Sequence, residues 1–297
     1  MKNLLSIEAL DATEILATLD DAAVMKATRG HHASHPLRHQ CWALIFSKSS
    51  TRTRVSFETG IRELGGDVMF LAAADIQLGR GEPICDTARV MGRMLHGAVI
   101  RTFAQKDVED FASYSGIPTI NALTDEEHPC QILADLFTLK ESRGTFDGLR
   151  VVFIGDGDCN VSRSWIWAAA RLDFELRIAA PAAFQPPREL LERAGGRVIV
   201  GEDLRAAAEG ADVLYTDVWV SMGKEEESAS RIEQLRGYQI NEELCAMAPD
   251  ALIMHCLPAY RGKEITAETF EKNADTIFRQ AENRLHAQKA VLARLME

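Results

Sequence analysis

Nine short apolar runs, separated by segments of helical period, constrain this chain more than any other feature. They fall at residues 41–46, 68–72, 98–103 and 119–123 in the first half, and at 150–155, 175–179, 197–200, 213–217 and 252–256 in the second. Apolar runs this short read as strands buried on both faces, and strands that follow one another through helices lie parallel. The alternation predicts an α/β fold with two doubly wound parallel sheets of four or five strands each. A chain of 297 residues has room for two such domains, each with its own core.

The helical segments place the boundary. Asp11 and Glu14 have capping-box spacing, which predicts a first helix ending at Gly30. Pro129 opens a helix with Ile132, Leu133, Leu136 and Phe137 on one face, and the polar tract 141–148 follows. The expected domains are therefore 1–142 and 143–275. From Thr276 the chain reads as one charged, amphipathic helix with too little to bury alone, so residues 276–297 are expected to pack back on the first domain.

Charge and cysteine usage exclude several function classes. The formal net charge of −11 repels nucleic acid and anionic lipid, so any anion must be held by a local basic site. The longest stretch free of Asp, Glu, Lys and Arg, 111–124, contains Gly116 and Pro118 and is too short to span a bilayer. Glu8 and Asp11 interrupt the N-terminus too early for a secretory signal, which predicts a cytoplasmic protein. The cysteines at 41, 85, 130, 159, 245 and 256 form no CxxC pair and read as reduced thiols.

Five segments could carry chemistry. After the first strand, Ser47-Lys48-Ser49-Ser50-Thr51-Arg52-Thr53-Arg54 opens a helix with the apolar face Phe57, Ile61 and Leu64. Unpaired N–H groups, the positive end of the helix dipole and a guanidinium fork suit a phosphate dianion there; a capped, surface-charged helix start is the plainer reading. His128-Pro129-Cys130-Gln131 also begins a helix, where a histidine serves as a cap or a hydrogen-bonding group as readily as a catalyst. The run 151–160 ends in Gly155-Asp156-Gly157-Asp158-Cys159-Asn160 and lacks the third glycine of a dinucleotide turn.

Asp217-Val218-Trp219-Val220-Ser221-Met222-Gly223 leaves the end of a strand, where open α/β sheets hold ligands, and its carboxylate and hydroxyl could hold an ammonium group or merely cap a loop. His255-Cys256-Leu257-Pro258 also ends a strand, its cysteine open to core packing, metal ligation or thiolate chemistry. His31, His32, His35 and His39 are broken by Pro36 and have no nearby acidic or cysteine partner for a metal.

Together, Ser50-Thr51-Arg52-Thr53, His128-Pro129-Cys130-Gln131, the 217–223 segment, His255-Cys256-Leu257-Pro258 and Gln280-Ala281-Glu282-Asn283-Arg284, in this order, closely resemble the ornithine carbamoyltransferases, over nearly the whole chain. The resemblance implies transfer of the carbamoyl group of carbamoyl phosphate to the δ-amine of L-ornithine, giving citrulline and phosphate, in arginine biosynthesis, with no metal and no organic cofactor. It implies that Ser50, Thr51, Arg52 and Thr53 hold the phosphate, that Arg101, Thr53, His128 and Gln131 bind and polarise the carbamoyl oxygen, and that Pro129, Cys130, Cys256 and Leu257 also belong to the carbamoyl-phosphate-binding set. Gln77 would reach carbamoyl phosphate across a subunit boundary of a homotrimer, and Arg284 would return from the last helix to the same ligand.

The resemblance assigns Asn160, Asp217, Ser221 and Met222 to ornithine, places Cys256 and Leu257 beside the reacting centre, and implies a cis Leu257–Pro258 bond. Its catalytic residues are Arg101, His128, Cys256 and Thr53. The sequence departs from common family forms at Asp158-Cys159 and at Gly81. Alternatives are a carbamoyltransferase for another amine, such as putrescine, or a non-catalytic paralogue that binds carbamoyl phosphate.

Overall fold

The computed structural model of the chain describes all residues other than 73, 75, 77–80 and 221–227. Strands and helices alternate as the apolar runs demand. The first part contains α1 (Ala12–Ala27), β1 (Cys41–Phe46), α2 (Thr51–Glu63), β2 (Asp67–Ala72), α3 (Ile84–Met91), β3 (Gly97–Arg101), α4 (Gln105–Ser115), β4 (Thr119–Leu123) and α5 (Pro129–Arg143). The remainder contains β5 (Arg150–Ile154), α6 (Asn160–Leu172), β6 (Glu175–Ala179), α7 (Arg188–Ala194), β7 (Arg197–Gly201), α8 (Leu204–Ala208), β8 (Val213–Thr216), α9 (Ser228–Leu235), α10 (Glu242–Met247), β9 (Leu252–His255), α11 (Ala267–Lys272) and α12 (Ala274–Arg294).

Two parallel sheets result, of order β2-β1-β3-β4 and β7-β6-β5-β8-β9. In each sheet the chain starts at an inner strand, winds to one side and then crosses to the other. The crossings fall between β1 and β3 and between β5 and β8, so each sheet has a crevice at the carboxyl ends of those strands. Their registers bring Phe46 beside Arg101 and Ile154 beside Thr216.

The chain divides into two compact units, Met1–Phe137 with Glu282–Glu297, and Thr138–Ala281. The first has a core of Ala43, Ile45, Ala98, Ile100, Val108 and Phe111. Gly97 is required there, because a Cβ would lie 2.5 Å from the Trp42 ring. The second unit buries Val152, Ile154, Leu214, Ile253, Phe270 and Ile277 together.

The last helix makes several polar contacts. Within the first unit, Lys26 Nζ donates to Asn283 Oδ1 at 2.8 Å and Arg294 Nη1 to Asp21 Oδ2 at 2.7 Å. Lys289 is wholly buried, with Nζ 2.6 Å from Glu63 Oε2 and 3.0 Å from His32 Nε2.

Several ends move by a few residues. α1 has the expected capping box at Asp11 and Glu14 but stops at Ala27, because the Thr28 hydroxyl turns back to the Val24 carbonyl and Gly30 lies beyond at φ 82°. α5 runs into the polar tract as far as Arg143, whose guanidinium donates to the carbonyls of Asp212 and Asp250. β3, β8 and β9 end earlier than their apolar runs, leaving Arg101 at the last strand position and Asp217 and Cys256 just beyond it. Among the described residues no helix is long and apolar enough to cross a membrane.

Candidate active site

In the first unit the expected residues gather at the crevice between β1 and β3. Ser50 caps α2 in extended conformation, its Oγ accepting from the Thr53 N–H at 3.2 Å and donating to Thr53 Oγ1 at 3.0 Å. Thr53 is fully buried, and its hydroxyl also accepts from Arg284 Nη2 at 2.7 Å. The helix start therefore presents backbone N–H groups, hydroxyls and a guanidinium together, as anion binding requires. Of the two arginines in the turn, only Arg52 faces inward, its Nε buried without a hydrogen-bond partner among the described residues. Arg54 points outward to Glu58 at 2.7 Å and lies 3.8 Å from the centre of the Phe70 ring.

Arg101 ends β3 almost fully buried, and its carbonyl accepts from the Ser47 N–H at 2.8 Å, tying the β1 turn to it. His128 immediately precedes α5, its carbonyl accepting from the N–H groups of Gln131 and Ile132. Burial first, then the charges of Arg284, Arg101 and Arg52, hold its imidazole well below the usual histidine range. A neutral imidazole beside three guanidiniums is a hydrogen-bonding group in a positive field.

Pro129 is the first residue of α5. Gln131 Nε2 donates to Asp135 Oδ1 at 2.8 Å, one helical turn on, while its buried Oε1 has no partner among the described residues. Cys130 faces away from this chemistry. Its Sγ donates to the Asn121 carbonyl at 3.3 Å, and burial pushes the thiol up to about 12. Any contact with an anion must come from its backbone. Gln77 lies outside the described residues.

In the second unit the crevice between β5 and β8 gathers a second set. Gly155 makes the turn after β5 at φ 120°, and Gly157 packs so closely that a Cβ would lie 2.7 Å from Ile178 and 2.9 Å from the Phe184 carbonyl. Asn160 is the first residue of α6, which Cys159 caps through its sulfur, accepting from the Ser162 N–H at 3.5 Å. Burial, then Asp156 and Asp217, raise the Cys159 thiol well above its usual range, so it stays protonated.

Asp217 follows β8, and its Oδ1 accepts from Cys256 Sγ at 2.9 Å and from the Val218 N–H at 2.7 Å. Burial raises its carboxyl, while the His255, Cys256 and Val218 interactions lower it. Ser221 and Met222 lie outside the described residues.

Behind Cys256, the fully buried His255 accepts from the Leu257 N–H at Nδ1, 2.8 Å, which makes Nε2 the protonated nitrogen facing Glu264 Oε1 at 3.2 Å. The Leu257–Pro258 bond is cis, with Leu257 at φ 60°. Ligand atoms of Asp217, His255 and Cys256 lie within 4.8 Å of one another, the geometry of a metal-binding group. Both imidazole nitrogens are already engaged by protein groups, so His255 here orders the turn.

Sequence reasoning missed Glu264 and Asp135. Asp135 had a legible signal, its four-residue spacing from Gln131 on one helix face. Glu264 had none, since the turn alone brings it to His255.

Each doubly wound sheet carries its own cluster of polar and charged side chains at its switch point, the arrangement of a ligand-binding α/β protein of the transcarbamylase kind. The family model for the carbamoyl-phosphate-binding domain of aspartate/ornithine carbamoyltransferase matches residues 2–141, and that for the aspartate/ornithine-binding domain matches 147–295. The chain belongs to the aspartate/ornithine carbamoyltransferase family.

Within that family its relatives point to one branch. It is 58% identical to the ornithine carbamoyltransferase of Akkermansia muciniphila, over 100% of this chain and 99% of the relative. It is 48% identical to that of Methylococcus capsulatus, over 99% and 98%. The anabolic ornithine carbamoyltransferase of Campylobacter jejuni superposes with a TM-score of 0.94 at 42% identity, over 99% of both chains. The enzyme of Pyrococcus furiosus gives 0.92 at 42%, over 98% and 96%.

Proposed function

We propose that the first unit binds carbamoyl phosphate through Ser50, Thr51, Arg52, Thr53, Gln77, Arg101, His128, Gln131 and Arg284, and that the second binds L-ornithine through Asn160, Asp217, Ser221 and Met222. The protein transfers the carbamoyl group to the δ-amine, giving citrulline and phosphate. One observation carries the first half: Arg52, Arg101 and Arg284 all act on a buried, neutral His128 beside the N-terminus of α2. Only a strongly anionic ligand matches that field, in a chain whose overall charge is −11.

In the mechanism, the α2 N-terminus with Arg52 and Arg284 holds the phosphate, and Arg101, His128 and Thr53 donate to the carbamoyl oxygen. As the neutral δ-amine attacks the carbonyl carbon, that oxygen gains negative charge and these donors stabilise it; collapse breaks the bond from carbon to the phosphate oxygen, and the departing phosphate takes the proton that the attacking nitrogen gives up. An alkyl amine of pKa ~10.4 is neutral in about one molecule in 2,500 at pH 7, a cost of about 4.6 kcal/mol that a desolvated site lowers. Asp217, with Cys256 on its Oδ1, holds the ammonium end of ornithine. Leu257 adds its backbone beside the reacting centre.

The same reading makes the enzyme a homotrimer with active sites near subunit boundaries, Gln77 coming from a neighbour. Six free cysteines suit a reducing compartment, and we assign the enzyme to the cytoplasm on that ground. The direction towards citrulline, in arginine biosynthesis, follows the anabolic Campylobacter jejuni relative. Calorimetric titration with carbamoyl phosphate tests the carrying observation: the wild type is expected to bind in the absence of ornithine, and Arg52→Leu to abolish binding. Equal affinity in both would refute the site.

A further inference from the structure

The buried ion pair between Arg231 of α9 and Asp156 of the β5 turn has no part in the roles assigned so far. Their side chains are only 9% and 4% exposed. The Arg231 Nη2 donates to Asp156 Oδ2, and its Nε donates to the Trp219 carbonyl at 3.0 Å. The guanidinium carbon lies 4.7 Å from the centre of the Phe184 ring, which fixes its plane. On the other side, Asp156 Oδ1 accepts from the Asp158 N–H at 3.2 Å and the Asp156 carbonyl from the Cys159 N–H at 3.3 Å.

One planar group therefore ties together two stretches of chain far apart in sequence. The first is the turn after β5, which leads straight into Asn160. The second is the stretch after β8, two residues beyond Asp217. The Trp219 ring completes the junction by packing over that turn, with Cδ1 3.5 Å from where a Cβ on Gly155 would stand. A buried ion pair adds little net stability compared with apolar packing, but a forked guanidinium fixes the relative position of the groups it joins.

We propose that Arg231 is a positioning residue for the amino-acid substrate. Through Asp156 and the Trp219 carbonyl it sets the spacing between Asn160 and Asp217, and so the affinity for an acceptor that carries both an α-carboxylate and an α-amine. The proposal rests on the assignment of Asn160 and Asp217 to ornithine.

Steady-state kinetics of Arg231→Gln, Arg231→Lys, Asp156→Asn and the double variant Asp156→Asn/Arg231→Gln test it, with norvaline as an inhibitor that has the α groups and no δ-amine. In Arg231→Gln the ornithine KM and the norvaline inhibition constant are expected to rise together by about tenfold or more, with carbamoyl phosphate affinity within about twofold of wild type. Arg231→Lys falls between, because an ammonium can pair with Asp156 but lacks the fork that also reaches the Trp219 carbonyl. The double variant is expected to be no worse than the single ones, because both break one junction.

An unchanged ornithine KM in folded Arg231→Gln would overturn the proposal, as would an equal loss of carbamoyl phosphate affinity, the mark of a merely structural role. If Arg231→Gln does not fold, Arg231→Lys carries the same test. Asn160→Ala measured alongside separates the two layers. If it leaves the ornithine KM unchanged, the site assignment fails; if it raises the KM and Arg231→Gln does not, only the positioning role fails.

Discussion

Arg284 and Thr53, 231 residues apart in sequence, are joined by a 2.7 Å hydrogen bond from the guanidinium Nη2 to the threonine hydroxyl. The bond carries a positive charge from α12 to the N-terminus of α2, where Ser50 already orients Thr53 through its N–H and hydroxyl. The first half-site is thus closed by the last helix of the chain. This gives α12 a chemical reason to return to the first unit, beyond the need to bury its apolar face.

Arg101 tests the assignment of the oxyanion donors. Arg101→Leu is expected to lower turnover by at least ~10²-fold, the usual cost of losing such a donor, while the unfolding midpoint stays close to wild type. Stopped assays of citrulline under saturating substrates decide it, and turnover within a few-fold of wild type would remove Arg101 from the chemistry.

The pH dependence of turnover follows from the amine. Burial and its arginine neighbours hold His128 well below the ordinary histidine range. It therefore contributes no titration in the neutral range, and the rate is expected to climb from pH 6 to 9 as more δ-amine loses its proton. A flat profile would show that amine attack is not being observed.

His286 makes stability depend on acidity. Burial, followed by the charges of Lys289 and Lys26, lowers its imidazole to about 4, against about 6.5 in an unfolded chain. Between these values the unfolded state binds a proton that the native state refuses, so stability falls as pH drops from 6.5 to 4 and levels off below. His286→Gln is expected to flatten that slope by up to about 1.4 kcal/mol per pH unit in urea titrations. An unchanged slope would show that His286 protonates in place.

The buried Lys289 predicts an asymmetry. Glu63 keeps Arg29 at 3.0 Å when Lys289 is lost, whereas loss of Glu63 leaves Lys289 buried with only the His32 ring nitrogen. Glu63→Ala is expected to cost about 3 kcal/mol or more, and Lys289→Met clearly less. Denaturant unfolding of both variants checks the order, and a reversal would mean that Lys289 finds another partner.

The sheets were legible because a strand buried on both faces has little freedom of composition: the apolar runs at 41–46 and 119–123 coincide with β1 and β4. Of the site, the residue types of the Ser50 to Thr53 turn allowed both an anion site and a plain helix cap, and Ser50 does cap α2. The roles of Asn160, Asp217, Cys256 and Arg284 came from resemblance, since nothing in local spacing says that residue 284 meets residue 53. By residue type Arg52 and Arg54 are equals; the resemblance names only Arg52, and in the structure Arg54 turns outward to Glu58. Likewise nothing in the sequence pointed to Arg231, and the fold alone brings it to Asp156.

Citrulline formation by the purified protein from carbamoyl phosphate and ornithine, with putrescine, N-acetylornithine and aspartate offered in parallel, tests the central claim most directly. Rapid turnover of ornithine alone is the expected result. Turnover of a different amine in preference to ornithine, or of none, would contradict it.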